Sequence, residues 1–180
     1  MKILVICVGN ELMLDDGLGI EVYRQVTGTY ELPENVDIVS AGCMTLDMIS
    51  SVEKYDMMIS VDAIDGTGLP AGTILRYEPD DVSRRGAPMS SLHELKLADL
   101  FDAALLLGYS CEGLCLGMQV ENASPSEFYR GFTAPVLQKL PDLVDTLLAE
   151  LVYLGCEVRV RDTGELVSPR FHHTMLEDAE

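Results

Sequence analysis

The chain opens on an unbroken apolar run, Ile3 to Val8, closed by Gly9-Asn10. A β-branched and aliphatic run of that length predicts a strand covered on both faces, as in a parallel sheet. The period then changes. From Asp16 to Thr27 the apolar positions Leu18, Ile20, Val22, Tyr23 and Val26 suit a helix packed on that sheet. The alternation continues: Val36 to Val39 predicts a strand, and Leu46 to Val52 a helix with Met48, Ile49 and Val52 at helical spacing. Met57 to Val61 predicts a third buried strand, ending at Asp62, and Thr73 to Tyr77 another short one. Pro79 to Ser91 is polar with Gly and Pro and reads as a loop. Leu92 to Leu107 predicts a Leu-rich helix, Leu114 to Val120 a strand, and Thr133 to Leu154 the longest helix. Pro141 marks either a kink in that helix or its true first turn. Strands alternating with helices predict an α/β fold, a single domain built on a mostly parallel, twisted sheet with helices on both faces. The expected domain covers 1–156, and 157–180 is expected to be a partly flexible C-terminal extension.

Composition changes the picture mainly through charge. The 180 residues are one domain's length. The formal net charge is −18 and the pI about 4.3. A surface this acidic repels phosphate backbones and anionic lipid, so neither nucleic acid nor membrane is expected as a partner. A basic protein segment or a metal ion is a better match, although a merely soluble or halophilic surface accounts for the charge equally well. The five cysteines, Cys7, Cys43, Cys111, Cys115 and Cys156, form no CxxC pair and no even framework. Free thiols in a reducing compartment are the expectation. Cys111 and Cys115 are spaced CxxxC without a nearby His, which is weak ground for a zinc site. The first apolar run is too short for a signal-peptide core, and no stretch approaches the ~18 apolar residues of a membrane span. A cytoplasmic location is expected.

Ligands of open α/β sheets bind outside the carboxyl ends of the strands. Three features fall there. The first is the loop from Gly9 to Gly19, which carries Asp15 and Asp16. It has neither the GxxxxGK[ST] nor the GxGxxG pattern, and its carboxylates would repel a phosphate. The plain alternative is that Asp15 or Asp16 caps the following helix. The second is Asp62, straight after a buried strand, with Asp65-Gly66 beyond it reading as a turn. A loop-capping carboxylate is the plain alternative there. The third is His93, in Ser90-Ser91-Leu92-His93-Glu94 at a helix start, where a surface histidine is the common case. His172 and His173 in the tail are weaker candidates, expected to face solvent. Taken together, Asp16, Asp62 and His93 make an oxygen-and-nitrogen donor set for a divalent transition metal, with positions left for water or substrate.

These segments resemble the nickel–iron hydrogenase maturation endopeptidases from Met1 to about Cys156. The first strand with Gly9-Asn10 and Asp15-Asp16-Gly17-Leu18-Gly19 is similar to that family's first motif, Asp62-Ala63 to its second, and Ser91-Leu92-His93 to its third. Gly117 to Asn122 and the segment around Thr133, Pro135 and Val136 resemble its late strand and last helix. The resemblance implies an aspartyl endopeptidase-like hydrolase. It would remove a short C-terminal extension from the hydrogenase large-subunit precursor once nickel is in place. It also implies that Asp16, Asp62 and His93 contact nickel carried by the substrate, or another divalent metal at the same site in vitro. Where some members have Glu at the first position, this chain has the shorter Asp16. The Asp-Gly-Gly-Thr-like segment of the family is here Ser40-Ala41-Gly42-Cys43-Met44-Thr45. The family recognises substrate there, so Gly42, Cys43, Met44 and Thr45 are candidate recognition residues for a less common partner hydrogenase. The metal would dock the tail and polarise the scissile carbonyl or a water, with Asp16 the choice for a general base. Two other readings stay open. A receiver-like phosphoacceptor domain also carries acidic residues after strand one and an Asp ending strand three, but no Lys ends a late strand here: Lys96 and Lys139 fall in helices. A non-catalytic metal-dependent assembly chaperone would bind precursor and nickel without cutting.

Overall fold

A computed structural model of the chain describes residues 1–42, 52–78, 106–108 and 110–175. The opening run forms strand β1, Ile3–Val8, buried at every position. Its odd residues Ile3, Val5 and Cys7 join one apolar cluster and its even residues Leu4, Ile6 and Val8 another. A strand so covered on both faces needs the continuous apolar run that the sequence shows. A one-turn 3-10 helix, Leu14–Gly17, then leads into helix α1, Leu18–Thr29. α1 buries Leu18, Gly19, Val22 and Val26, a single stripe at helical spacing. The short β2, Tyr30–Glu31, follows, and β3, Val36–Gly42, returns parallel to β1.

The other side of β1 is paired by β4, Met57–Ile64, which in turn pairs with β6, Glu112–Gln119, both parallel. Between them in sequence, β5, Ile74–Tyr77, lies antiparallel beyond β6. Helix α2, Ala134–Tyr153, starts after the N-cap Thr133 and packs beside α1 on the face that carries Ile3, Val5 and Cys7. Pro141 sits inside α2 and does not begin it. The carbonyl of Leu137 loses its usual i+4 donor there, and Leu137 is exposed, so water can replace the missing bond. On the opposite face, Val52, in helical conformation, packs with Leu4, Ile6, Met58 and Ile64. With β8, His173–Met175, at its edge, the six-stranded sheet runs β3-β1-β4-β6-β5-β8, parallel at every pair except β6 with β5. The α/β architecture with a mostly parallel sheet agrees with the sequence reading.

Several boundaries differ from it. β4 does not stop at Val61 but runs through Asp62 to Ile64, because β6 continues to offer partners, Gly117 opposite Asp62 and Gln119 opposite Ile64. The segment after Cys156, expected to be an extension, is tied to the body as far as Met175. β7, Arg159–Val160, pairs with β2, and β8, His173–Met175, pairs with β5 at the sheet edge. The expected helix at Leu46 to Val52, apart from Val52, and the expected loop at Pro79 to Ser91 lie outside the described residues. So does the Leu92 to Leu107 helix before Leu106. Among the described residues no helix is long and apolar enough to cross a membrane.

Candidate active site

Because β3, β1, β4 and β6 are parallel, their carboxyl ends share one edge. From β1 the chain winds outward to β3, then crosses to β4 on the other side of β1. The windings diverge between β1 and β4, and that is where a doubly wound sheet opens a crevice. Asp16 follows β1 and Asp62 lies in the last turn of pairing on β4, so the two carboxylates flank this switch point. Both are buried, Asp16 at 9% exposure and Asp62 at 6%.

The backbone around Asp16 is tightly held. Gly9 has φ +142 and its missing Cβ would collide with the Asp16 carbonyl oxygen, so only glycine lets the loop close over that residue. The Asn10 N–H donates to the same oxygen at 3.0 Å, and the Gly9 N–H donates to the Gly42 carbonyl at 3.2 Å. Gly19 is a second close approach. A Cβ there would strike the Val8 carbonyl and lie 2.8 Å from that of Val61. The start of α1 is therefore wedged onto the ends of β1 and β4, which draws the turn holding Asp16 towards the strand holding Asp62. Leu14 is held at φ +52, a strained backbone for a leucine. Its N–H donates to Tyr129 O at 2.8 Å, and the Tyr129 N–H donates to Leu12 O at 2.8 Å, so the loop is bridged to the segment before α2.

Asp62 projects with Met58, Ser60 and Ile64 on the face opposite α1, since side chains alternate along a strand. Its Oδ1 accepts the Ala63 N–H at 2.8 Å. Gly117, directly across on β6, has no side chain, and the space is taken by Ile64. Just beyond β4, the Asp65 Oδ1 accepts the Gly66 N–H at 2.7 Å and Gly66 has φ +78, as the turn reading of Asp65-Gly66 requires. Gln119 accepts the Thr67 N–H at 3.0 Å and donates to Val120 O at 2.7 Å, fixing the loop beside the site.

Asp15 and Asp16 part company here. Met13 and Gly17, the N-caps of the 3-10 helix and of α1, make no side-chain cap bond. Asp15, at 0% exposure, instead accepts from Thr133 N at 2.7 Å, Thr133 Oγ1 at 2.9 Å, Asn122 N at 3.0 Å and Glu121 N at 3.3 Å. Sequence reasoning missed this role. The only signal was the acidic doublet itself, and nothing local distinguishes its members.

The remaining candidates divide as follows. His93, Cys43, Met44 and Thr45 lie outside the described residues, and Gly42 ends β3 at φ +55. Among the described residues no group of three His, Cys, Asp or Glu side chains could hold a metal ion, so Asp16 and Asp62 would need a donor from elsewhere. Two buried carboxylates at a strand-end crevice suit a divalent cation, whose charge would offset their burial. His172 is exposed, with Nε2 2.8 Å from Asp145 Oδ2. His173 departs from the expectation of a solvent-facing tail: β8 carries it onto the sheet edge, where its Nδ1 is buried. Burial pushes the Cys7 thiol up to about 12 and, with Asp56 and Glu112 nearby, the Cys111 thiol up to about 11. Without a bound metal such thiols stay protonated at neutral pH.

A mostly parallel sheet with buried carboxylates at its switch point defines the class: a single-domain α/β protein with an acidic strand-end site. Comparison with known proteins narrows it. The sequence profile of the hydrogenase maturation proteases (HycI) matches residues 20–150. The hydrogenase expression/formation protein HupD of Rhizobium leguminosarum bv. viciae is 32% identical over 173 residues, 96% of this chain and 85% of that protein. The hydrogenase 2 maturation protease of Escherichia coli K12 is 28% identical, over 90% of this chain and 98% of its own length. The solved structure of the hydrogenase maturating endopeptidase HybD from E. coli superimposes with a TM-score of 0.81 at 27% identity, covering 90% of this chain and 99% of that one. The chain belongs to the hydrogenase maturation protease family, and it is an endopeptidase that acts on hydrogenase precursors. Neither the receiver-like nor the chaperone reading draws support from these relatives.

Proposed function

We propose that this endopeptidase removes the C-terminal extension of a nickel–iron hydrogenase large-subunit precursor, in the cytoplasm, after nickel has been inserted. Asp16, Asp62 and His93 contact the nickel carried by the precursor. The observation that supports this reading most directly is the placement of two buried carboxylates at the switch point between β1 and β4. Nickel is borderline in softness and accepts carboxylate and imidazole donors together. Three such contacts would fix the precursor's metal centre and therefore the register of the tail that leaves it. The scissile carbonyl would then meet a polarised environment, and Asp16 would take a proton from the attacking water. Gly42, with Cys43, Met44 and Thr45 after it, would meet the precursor beyond the metal. Gly42 stands at the carboxyl end of β3, on the same edge as Asp16.

The test compares nickel-loaded and nickel-free precursor as substrates. Only the loaded form should be shortened, and His93→Ala should abolish that cleavage. Equal cleavage of both forms would refute the proposed role of nickel, and an active His93→Ala enzyme would remove His93 from the site.

A further inference from the structure

We propose that Asp15 is a positioning residue for the cleavage reaction, which sets the place of Asp16 by locking the site loop to the start of α2. The proposal rests on the reading of Asp16 given above. Asp15 does not meet solvent. Its carboxylate is fully buried and accepts from three backbone N–H groups and one hydroxyl. Such a carboxylate is satisfied on both oxygens, and charge-assisted bonds of this kind are the strong ones. All four donors come from the stretch between β6 and α2, more than 100 residues away: Glu121, Asn122 and Thr133.

Thr133 makes the choice visible. It is the N-cap of α2 and has the extended backbone of a capping threonine, yet its hydroxyl makes no cap bond. The hydroxyl donates to Asp15 Oδ2 at 2.9 Å instead. The Asp15 charge consequently sits at the positive end of a 20-residue helix, a favourable place for an anion. The same stretch holds the loop a second time, through the reciprocal backbone bonds of Leu12 and Leu14 with Tyr129. Asp15 and Asp16 are consecutive in a 3-10 turn of four residues, Leu14–Gly17. Such a turn has no length over which to absorb a shift, so a displacement of Asp15 moves Asp16.

The test uses full-length variants and the nickel-loaded large-subunit precursor. Asp15→Asn removes the charge and turns an NH2 towards N–H donors. It should lower kcat between about 10- and 100-fold, the penalty for a misplaced catalytic group, with KM changed less than about threefold. Amide exchange should speed up at Asp16, Asn122 and Thr133 in the same variant. Thr133→Ser keeps the hydroxyl and should stay within about twofold of wild type, whereas Thr133→Val should fall several-fold. If Asp15→Asn fails to fold, Thr133→Val against Thr133→Ser decides. Wild-type kcat in Asp15→Asn, or equal kcat in the two Thr133 variants, overturns the proposal. Asp16→Asn separates the levels. An inactive Asp16→Asn beside a fully active Asp15→Asn defeats positioning alone, and a fully active Asp16→Asn defeats both readings.

Discussion

At the scale of single residues, two glycines and two aspartates shape the candidate site. Asp16 and Asp62 were legible because an acidic side chain just past a buried apolar run lands on the carboxyl edge of a parallel sheet. Gly9 and Gly19 were legible as loop punctuation but not as wedges, because a close approach between strand ends and a helix start is a property of the assembled fold. The role of Asp15 was hidden for the same reason, as all four of its donors come from the stretch between β6 and α2. Gly19 gives the sharpest stability prediction. Gly19→Ala would place a methyl group against the Val8 and Val61 carbonyls, and rigid backbone cannot yield. The variant should lose about 3 kcal/mol in urea unfolding, with cleavage activity lost alongside. A stability within experimental error of wild type would show that α1 does not bear on the strand ends as described.

At the scale of elements, apolar periodicity located β1, β3, α1, β5, β6 and α2 within a few residues of their ends. The end of β4 was misplaced because Asp62 looks like a strand terminator, while the ladder to β6 carries it into the strand. The strands of the tail went unseen in the sequence because β7 and β8 are too short to show a period, and their partners on β2 and β5 are far away in sequence. That edge carries two predictions. The Arg76 Nε donates to Glu150 Oε1 at 2.6 Å, with the Glu150 side chain only 2% exposed and that of Arg76 26%, so this pair joins β5 to α2 with its carboxylate buried. Arg76→Leu leaves a buried carboxylate without its cation and should cost about 3 kcal/mol in chemical denaturation. The second prediction concerns pH. Burial lowers the His173 pKa from its ordinary 6.5; nearby Glu150 opposes the shift and Arg76 adds to it. A depressed histidine binds its proton first in the unfolded chain, so its contribution is complete above about 6.5 and is lost as pH falls below that. Between about pH 8 and pH 5.5 wild type should therefore lose more stability than His173→Gln, read from urea midpoints. Parallel pH profiles for the two proteins would contradict this account of the edge.

At the scale of the whole molecule, the strand order explains why the site is where it is. Among the described strands, the chain leaves β1 towards β3 on one side and takes up β4 on the other, and the buried carboxylates of Asp16 and Asp62 stand at that opening. The net charge of −18 neither builds the fold nor defines the site, but it discourages other anionic partners near it. Fold class was readable from alternation alone, and the strand-end placement of Asp16 and Asp62 from motif order together with the strand-end rule. The meeting of β1 and β4, by contrast, required the topology. The central claim is that the acidic pair at this opening drives removal of the precursor's tail. The most direct measurement is the intact mass of nickel-loaded large-subunit precursor after incubation with wild-type enzyme and with Asp16→Ala matched for folded content. Wild type should convert the precursor to a product shorter by its C-terminal extension, while Asp16→Ala leaves the full mass. Full conversion by Asp16→Ala, or none by wild type, would contradict the account.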